Sequence, residues 1–267
     1  MKPRSLIIGM IMLGLSLGLT GWAFADITTG LVAYYPFNGD ANDYSGKNNN
    51  PSVVNNVTST ADRFGQINGA FLFNGSSSYI QYPNQTWLNV DMTKGFTVAT
   101  WFRIDALGSD YFDLIDKSHG AGDSTGWTVQ GHNQDFNPRY IGFGIGYGGG
   151  GSANFQGVKV QAPDTGQWHL LAVTFVNNNF AMYLDGSLVD SNVVVGTVAN
   201  NTRDLFIGKH YSVGRYFNGA QDDIRIYERA LSASDVQELA AVPIPGAVWL
   251  LGSGLLGLAG WRRLRKS

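Results

Sequence analysis

Asp222 is the first residue of this sequence whose placement could do chemistry. It opens the run Asp222-Asp223-Ile224-Arg225-Ile226-Tyr227, which reads as a strand whose side chains alternate between faces. Alternation puts Asp222, Ile224 and Ile226 on one face, and Asp223, Arg225 and Tyr227 on the other. The isoleucine face is expected to point inward. A carboxylate facing a core is costly unless a cation or hydrogen-bond donors meet it. A bound metal is one expectation there, and backbone amides at the strand start are the other.

Catalysis by paired carboxyls needs two acids at a set separation. The only glutamates are Glu228 and Glu238, at the end of that strand and in the segment after it. Asp110, Asp113, Asp116 and Asp123 could form a pair, but no spacing among them demands one, and they read as solvated loop residues. The histidines His119, His132, His169 and His210 are scattered, without a His-x-x-x-His spacing, and there is no cysteine. The Gly142 to Gly151 segment lacks the Lys-Ser/Thr of a phosphate loop. No catalytic residues are assigned. For binding, Trp127, Tyr140, Tyr147, Tyr211 and Tyr216 lie in or beside glycine-rich loops, where aromatics could stack on sugars; packing under those loops is the alternative.

The elements that must position these residues are strands. The 35 glycines, 12 tyrosines and 15 phenylalanines with only 14% charged residues point to an all-β protein rich in turns. A net charge of −2 argues against nucleic acid as a partner. Phe96 to Ile104 is apolar on both faces and reads as a central strand. Phe71-Leu72-Phe73 and Ser78 to Tyr82 read as a hairpin across a Gly-Ser turn. Trp168 to Phe175 and Phe180 to Leu184 form the clearest hairpin, closed by Asn177-Asn178-Asn179. Tyr140 to Tyr147 alternates glycine with larger residues, as a groove wall would. Ser232 with Asp235 reads as a near capping box for one short helix. Many short strands with one helix at the end predict a two-sheet antiparallel jelly-roll sandwich over residues 26–241.

Both ends carry other signals. Lys2 and Arg4, an apolar run to Leu19 and Ala23-Phe24-Ala25 read as a signal peptide over residues 1–25. At the other end, Val242-Pro243-Ile244-Pro245-Gly246 leads into an apolar stretch ending at Trp261, then Arg262, Arg263, Arg265 and Lys266. That stretch is long enough for a transmembrane helix with its basic end in the cytoplasm. Residues 242–267 resemble the PEP-CTERM sorting signals in their Val-Pro-Leu-Pro-Ala variant, departing by Ile for Leu and Gly for Ala. The resemblance implies a Gram-negative source and an exosortase-type processing protease as partner. It also implies an inner-membrane intermediate and final export to the cell surface or an extracellular polysaccharide matrix.

The middle of the chain carries a second resemblance. Gly30 to Phe37, Asp43-Tyr44-Ser45-Gly46, Phe96 to Phe102, Trp168-His169, Tyr183 to Gly186, Phe217-Asn218-Gly219 and Asp222 to Tyr227 with Arg229 to Ser232 follow in order. Together they resemble a laminin G-like domain of the concanavalin A-like lectin/glucanase superfamily. The family implies a jelly roll with one structural Ca²⁺ where the first loop meets the last strand. Its acidic ligands would fall on Asp43 and Asp222, with Asn38, Asp40 and Asn42 as further oxygens. The Glu-x-Asp-x-x-Glu strand of its laminarinase-type hydrolases is absent. The resulting expectation is a non-catalytic binding protein whose partner is a polysaccharide or a surface protein, with glycoside hydrolysis the remotest alternative.

Overall fold

The computed structural model describes residues 26–91, 93–107, 111–119, 124–132, 139–147 and 155–241. The signal-peptide and sorting-signal segments, Asp110, Asp123 and Gly148 to Gly151 lie outside them. No helix among the described residues is long and apolar enough to cross a membrane.

In chain order the strands begin with β1 (Leu31–Tyr35), β2 (Val53–Asn55), β3 (Thr58–Thr60), β4 (Ala70–Asn74) and β5 (Tyr79–Tyr82). They continue with β6 (Phe96–Ile104), β7 (Phe112–His119), β8 (Thr125–His132), β9 (Tyr140–Gly146) and β10 (Phe155–Gln161). The last are β11 (Trp168–Val176), β12 (Asn179–Leu184), β13 (Ser187–Val193), β14 (Leu205–Ile207) and β15 (Asn218–Tyr227), followed by helix α1 (Ala233–Ala240). Two antiparallel sheets form the sandwich. The eight-stranded one runs β13-β12-β11-β6-β15-β4-β3, with β1 also paired to β15. The seven-stranded one runs β10-β9-β8-β7-β14-β5-β2.

β6 is central, as its sequence predicts. One face meets the inter-sheet core through Phe96, Val98, Phe102 and Ile104. The other face carries Ala99 and Trp101, which pack with Tyr227, Leu231, Val236 and Leu239. α1 thus covers the outside of the eight-stranded sheet. Ser232 and Asp235 form a complete capping box at its start, satisfying two amides that helix geometry leaves unpaired. The β11–β12 hairpin closes as expected, with Asn177 and Asn178 both at positive φ, 49° and 64°. That is the left-handed pair a tight hairpin turn needs.

One expected hairpin does not form. β4 pairs with β15 and β3 in the eight-stranded sheet, whereas β5 pairs with β14 and β2 in the other. The turn between them crosses the sandwich. Asn74 makes the crossing, its side-chain oxygen accepting from the amides of Ser76, Ser77 and Ser78. A side chain that gathers three amides ends the ladder more firmly than a two-residue turn would continue it.

Candidate functional site

The expected inward face of Asp222 is overturned by a bulge. Pairing of β15 with β6 matches Asp222 to Trp101 and then resumes at Arg225 with Ala99, a register shift. Asp223 sits in the gap at φ 48°. One extra residue flips the parity of everything beyond it. Ile224 and Ile226 therefore enter the inter-sheet core, while Asp222 lies beside Trp101 on the opposite face. The cation that meets it there is a side chain. Arg63 Nη1 stands 2.6 Å from Asp222 Oδ2, and Nη2 stands 2.7 Å from Asp223 Oδ2. The guanidinium lies 4.5 Å from the Trp101 ring centre and 4.3 Å from that of Phe64. Arg225 donates to the other oxygen of Asp223 at 3.3 Å, and the Tyr34 hydroxyl donates to it at 2.6 Å.

The residues expected to hold Ca²⁺ do not fit it. Two aspartates and two arginines already balance, so a divalent cation at Asp222 would add uncompensated charge. Asp43 makes a different kind of site. Its Oδ1 accepts from the amides of Tyr34 and Ser45, and its Oδ2 accepts from the Asn49 amide and the Ser45 hydroxyl. Four donors aimed at one carboxylate fill its acceptor positions and anchor the loop. Asp40 accepts from the Asn42 amide and the Tyr44 hydroxyl, and Asn38 and Asn42 are exposed. Asp43 and Asp222 share no hydrogen-bonding partner among the described residues. No cluster of three or more His, Asp or Glu suited to a metal occurs among the described residues.

The five expected aromatics divide. Trp127 is fully buried, stacked near Phe143 and Phe96, with its indole N–H donating to the Leu88 carbonyl at 2.8 Å; it is a core residue with no surface to offer a ligand. Tyr147 is partly buried against the same core, and burial pushes its hydroxyl up to about 12. Tyr140, Tyr211 and Tyr216 lie over the outer face of the seven-stranded sheet, Tyr140 at the start of β9 and the other two in the 208–216 loop. Tyr140 stacks on His132, with ring centres 5.5 Å apart and planes 8° apart, and Lys159 lies over it at 5.1 Å. Tyr211 lies under Arg203 at 4.2 Å, and Tyr216 lies 5.8 Å from Lys209.

That outer face follows from register. Pairing matches Gln81 with Phe206, Phe206 with Asp116, Asp116 with Thr128 and Asp113 with Gln130, so these side chains share one side. Asp113 and Asp116, three apart, would face opposite ways in a regular strand. A shift between Asp113 and Ile115 brings them together. They are not solvated loop residues, since both are 0% exposed. Asp113 accepts from the Thr128 hydroxyl, and its second oxygen has no hydrogen-bond partner among the described residues. Asp116 accepts from the Ser118 amide and hydroxyl and from the Tyr211 amide. Burial raises the Asp116 carboxyl to about 6. Burial, then the neighbouring Asp116, raises Asp113 well above the usual carboxylate range.

The Asp116–Tyr211 bond pins the 208–216 loop over this face, and Lys117 pins another loop. Lys117 is 1% exposed, and its ammonium donates to Asn84 Oδ1 at 2.8 Å and to the Arg203 carbonyl at 3.1 Å. Burial lowers it to about 8, against the pull of Asp204. Between the two loops opens a cleft of about 550 Å³, lined by Gln81, Asn201, Thr202, Arg203, Asp204, Phe206 and Tyr211. Sequence reading found Tyr211 there and missed the rest. Their signal was weak: single polar residues around a three-residue strand.

The laminin G model of the concanavalin A-like lectin/glucanases superfamily matches residues 74–237, and the chain belongs to that superfamily. Among solved structures, the binding domain of Paraclostridial Mosquitocidal Protein 1 aligns with a TM-score of 0.63 at 17% identity, over 80% of this chain and 52% of that one. The botulinum neurotoxin serotype D binding domain aligns with 0.63 at 15% identity and the same coverage of 80% and 52%. The botulinum neurotoxin DC binding domain, solved in complex with rat synaptotagmin II, gives 0.63 at 16%, again over 80% and 52%. This chain therefore spans about half the length of each. At such identity what is shared is the fold. No curated protein matches in sequence.

Proposed function

We propose that the protein is an exported, surface- or matrix-associated, non-catalytic carbohydrate-binding protein, and that its ligand enters the cleft on the outer face of the seven-stranded sheet. The observation that carries this is the cleft's lining. Phe206 and Tyr211 offer aromatic surface, while Gln81, Asn201 and Thr202 offer amide and hydroxyl groups. A sugar ring has an apolar face for the first set and a ring of hydroxyls for the second. The burial of Asp113 and Asp116 supports a binding rather than hydrolytic role, because glycosidic cleavage needs two carboxyls flanking the scissile bond. Glu228 supports it too, since it pairs with Lys94 away from the cleft. Export rests on the terminal segments at residues 1–25 and 242–267.

The test is retention of the full chain on a panel of immobilised polysaccharides. At least one should retain it, and Tyr211→Ala or Phe206→Ala should weaken that binding roughly tenfold. A chain retained by no glycan, with folding intact, contradicts the reading. The rival is adhesion to another protein, for which the edge strand β13 offers the exposed Leu188, Val189 and Val193. Self-association abolished by Val193→Lys, with no glycan bound, would favour it. For export, mass spectrometry of the protein from its host should find a chain beginning near Asp26 and ending before Ser267; an intact tail contradicts the sorting signal.

A further inference from the structure

The charges around the cleft narrow the ligand class. Most arginines of the described chain are spent on carboxylates: Arg63 on Asp222 and Asp223, Arg103 on Asp105, Arg225 on Asp223 and Arg229 on Asp235. Arg203 and Lys209 differ. Both are partly exposed, and neither makes a salt bridge among the described residues. Each is instead seated on aromatic rings. Arg203 lies 4.2 Å from the Tyr211 centroid, and Lys209 lies 4.5 Å from that of Tyr79 and 5.4 Å from that of Phe206. A cation over a ring is held in place while its outward donors stay available.

Asp204, the carboxylate that lines the cleft among the described residues, makes no ion pair with either. Asp204 turns one oxygen to Gln81 Nε2 at 2.6 Å and the other to the Asn84 amide at 2.8 Å. The positive field is felt beneath the loop: after burial itself, Arg215, Lys209 and Arg203 together hold the His210 ring down to about 4, and hence neutral. A chain with a net charge of −2 thus keeps two ring-seated cations beside a sugar-sized cleft.

We propose that the cleft recognises an acidic polysaccharide, its sugar ring against Phe206 and Tyr211 and its anionic group on Arg203 and Lys209. The proposal rests on the carbohydrate reading above and goes further, to the charge of the ligand. A guanidinium takes a carboxylate or a sulfate through two parallel hydrogen bonds. Uronate and sulfate ester are therefore the two sources of one chemistry.

Titration of the full chain with polygalacturonate, dextran sulfate and neutral dextran, with single-stranded DNA as a charge control, tests it. One of the two acidic glycans should bind at least tenfold more tightly than neutral dextran and than DNA, and whichever it is identifies the anionic group. Arg203→Gln and Lys209→Gln should each weaken it about tenfold, whereas Lys94→Gln on the opposite sheet should leave it unchanged. Binding should also weaken between about 0.05 and about 0.5 M salt. Thermal melting of each variant checks that it is folded. Preference for neutral dextran, or indifference to both cleft substitutions, overturns the proposal while the carbohydrate reading stands. DNA binding as tightly as the glycan overturns it in favour of plain charge attraction. Binding to no glycan at all removes both.

Discussion

Arg63→Ala, in the loop between β3 and β4, is expected to destabilise the domain strongly. Asp222 is 3% exposed and Asp223 9%, and Arg63 meets an oxygen of each within 2.7 Å. Removing one partner of a buried ion pair leaves charge without compensation, which costs about 3–5 kcal/mol. In a domain of this size that lowers the melting temperature by on the order of 10 °C. The stem of Arg63 also packs on Trp101 and Phe64, and that contact is lost too. Arg63→Ala combined with Asp222→Asn should recover part of the loss, because the uncompensated carboxylate is then gone. Because the arginine is the cation, EDTA should leave the wild-type melting temperature unchanged, and added Ca²⁺ should not raise it. A fall of several degrees in EDTA would contradict the assignment.

The second large effect is the dependence of stability on pH. Two buried carboxyls of the seven-stranded sheet are raised above the ordinary aspartate value. Burial drives both, with Asp116 reaching about 6 and Asp113 moving in the same direction under the further push of Asp116. A raised acid binds its proton more tightly folded than unfolded. The stability it contributes is therefore complete below the unfolded value near 4, and is lost as pH rises through about 6, the folded value of Asp116. The melting temperature should fall by roughly 5–10 °C from pH 5 to pH 8. Asp113→Asn keeps the shape and the oxygen that accepts from Thr128 but cannot ionise. It should raise the melting temperature at pH 8, do little at pH 4, and flatten the profile between them. A profile of unchanged slope in this variant would show that Asp113 does not titrate within the range.

Much of the fold was legible because local and long-range preferences agree. The two-faced apolar run of β6, the asparagine turn of the β11–β12 hairpin and the Ser232–Asp235 cap each specify their element from a few residues. The errors share one physical origin, since period-two reading assumes an unbroken ladder. The bulge at Asp223 moved Asp222 away from the isoleucine face, and the bulge after Asp113 gathered two aspartates that simple alternation separates. The Asn74 crossing carried β5 into the other sheet. Arg63 was overlooked because its partners lie about 160 residues away along the chain, and no local pattern marks such a pair. Within the candidate site, Tyr211 stood out in a loop bounded by Gly208 and Gly214, while Gln81, Asn201 and Asp204 are ordinary surface residues until β5 and β14 pair.

A glycan is proposed to occupy the cleft between the 201–204 and 208–216 loops. The most direct measurement is the amide NMR spectrum of the folded chain during titration with an acidic oligosaccharide. Saturable shifts should concentrate at Gln81, Arg203, Phe206, Lys209 and Tyr211, with β11, β12 and α1 on the opposite side unmoved. Shifts clustered on the eight-stranded sheet, or none at a saturating concentration, would contradict it.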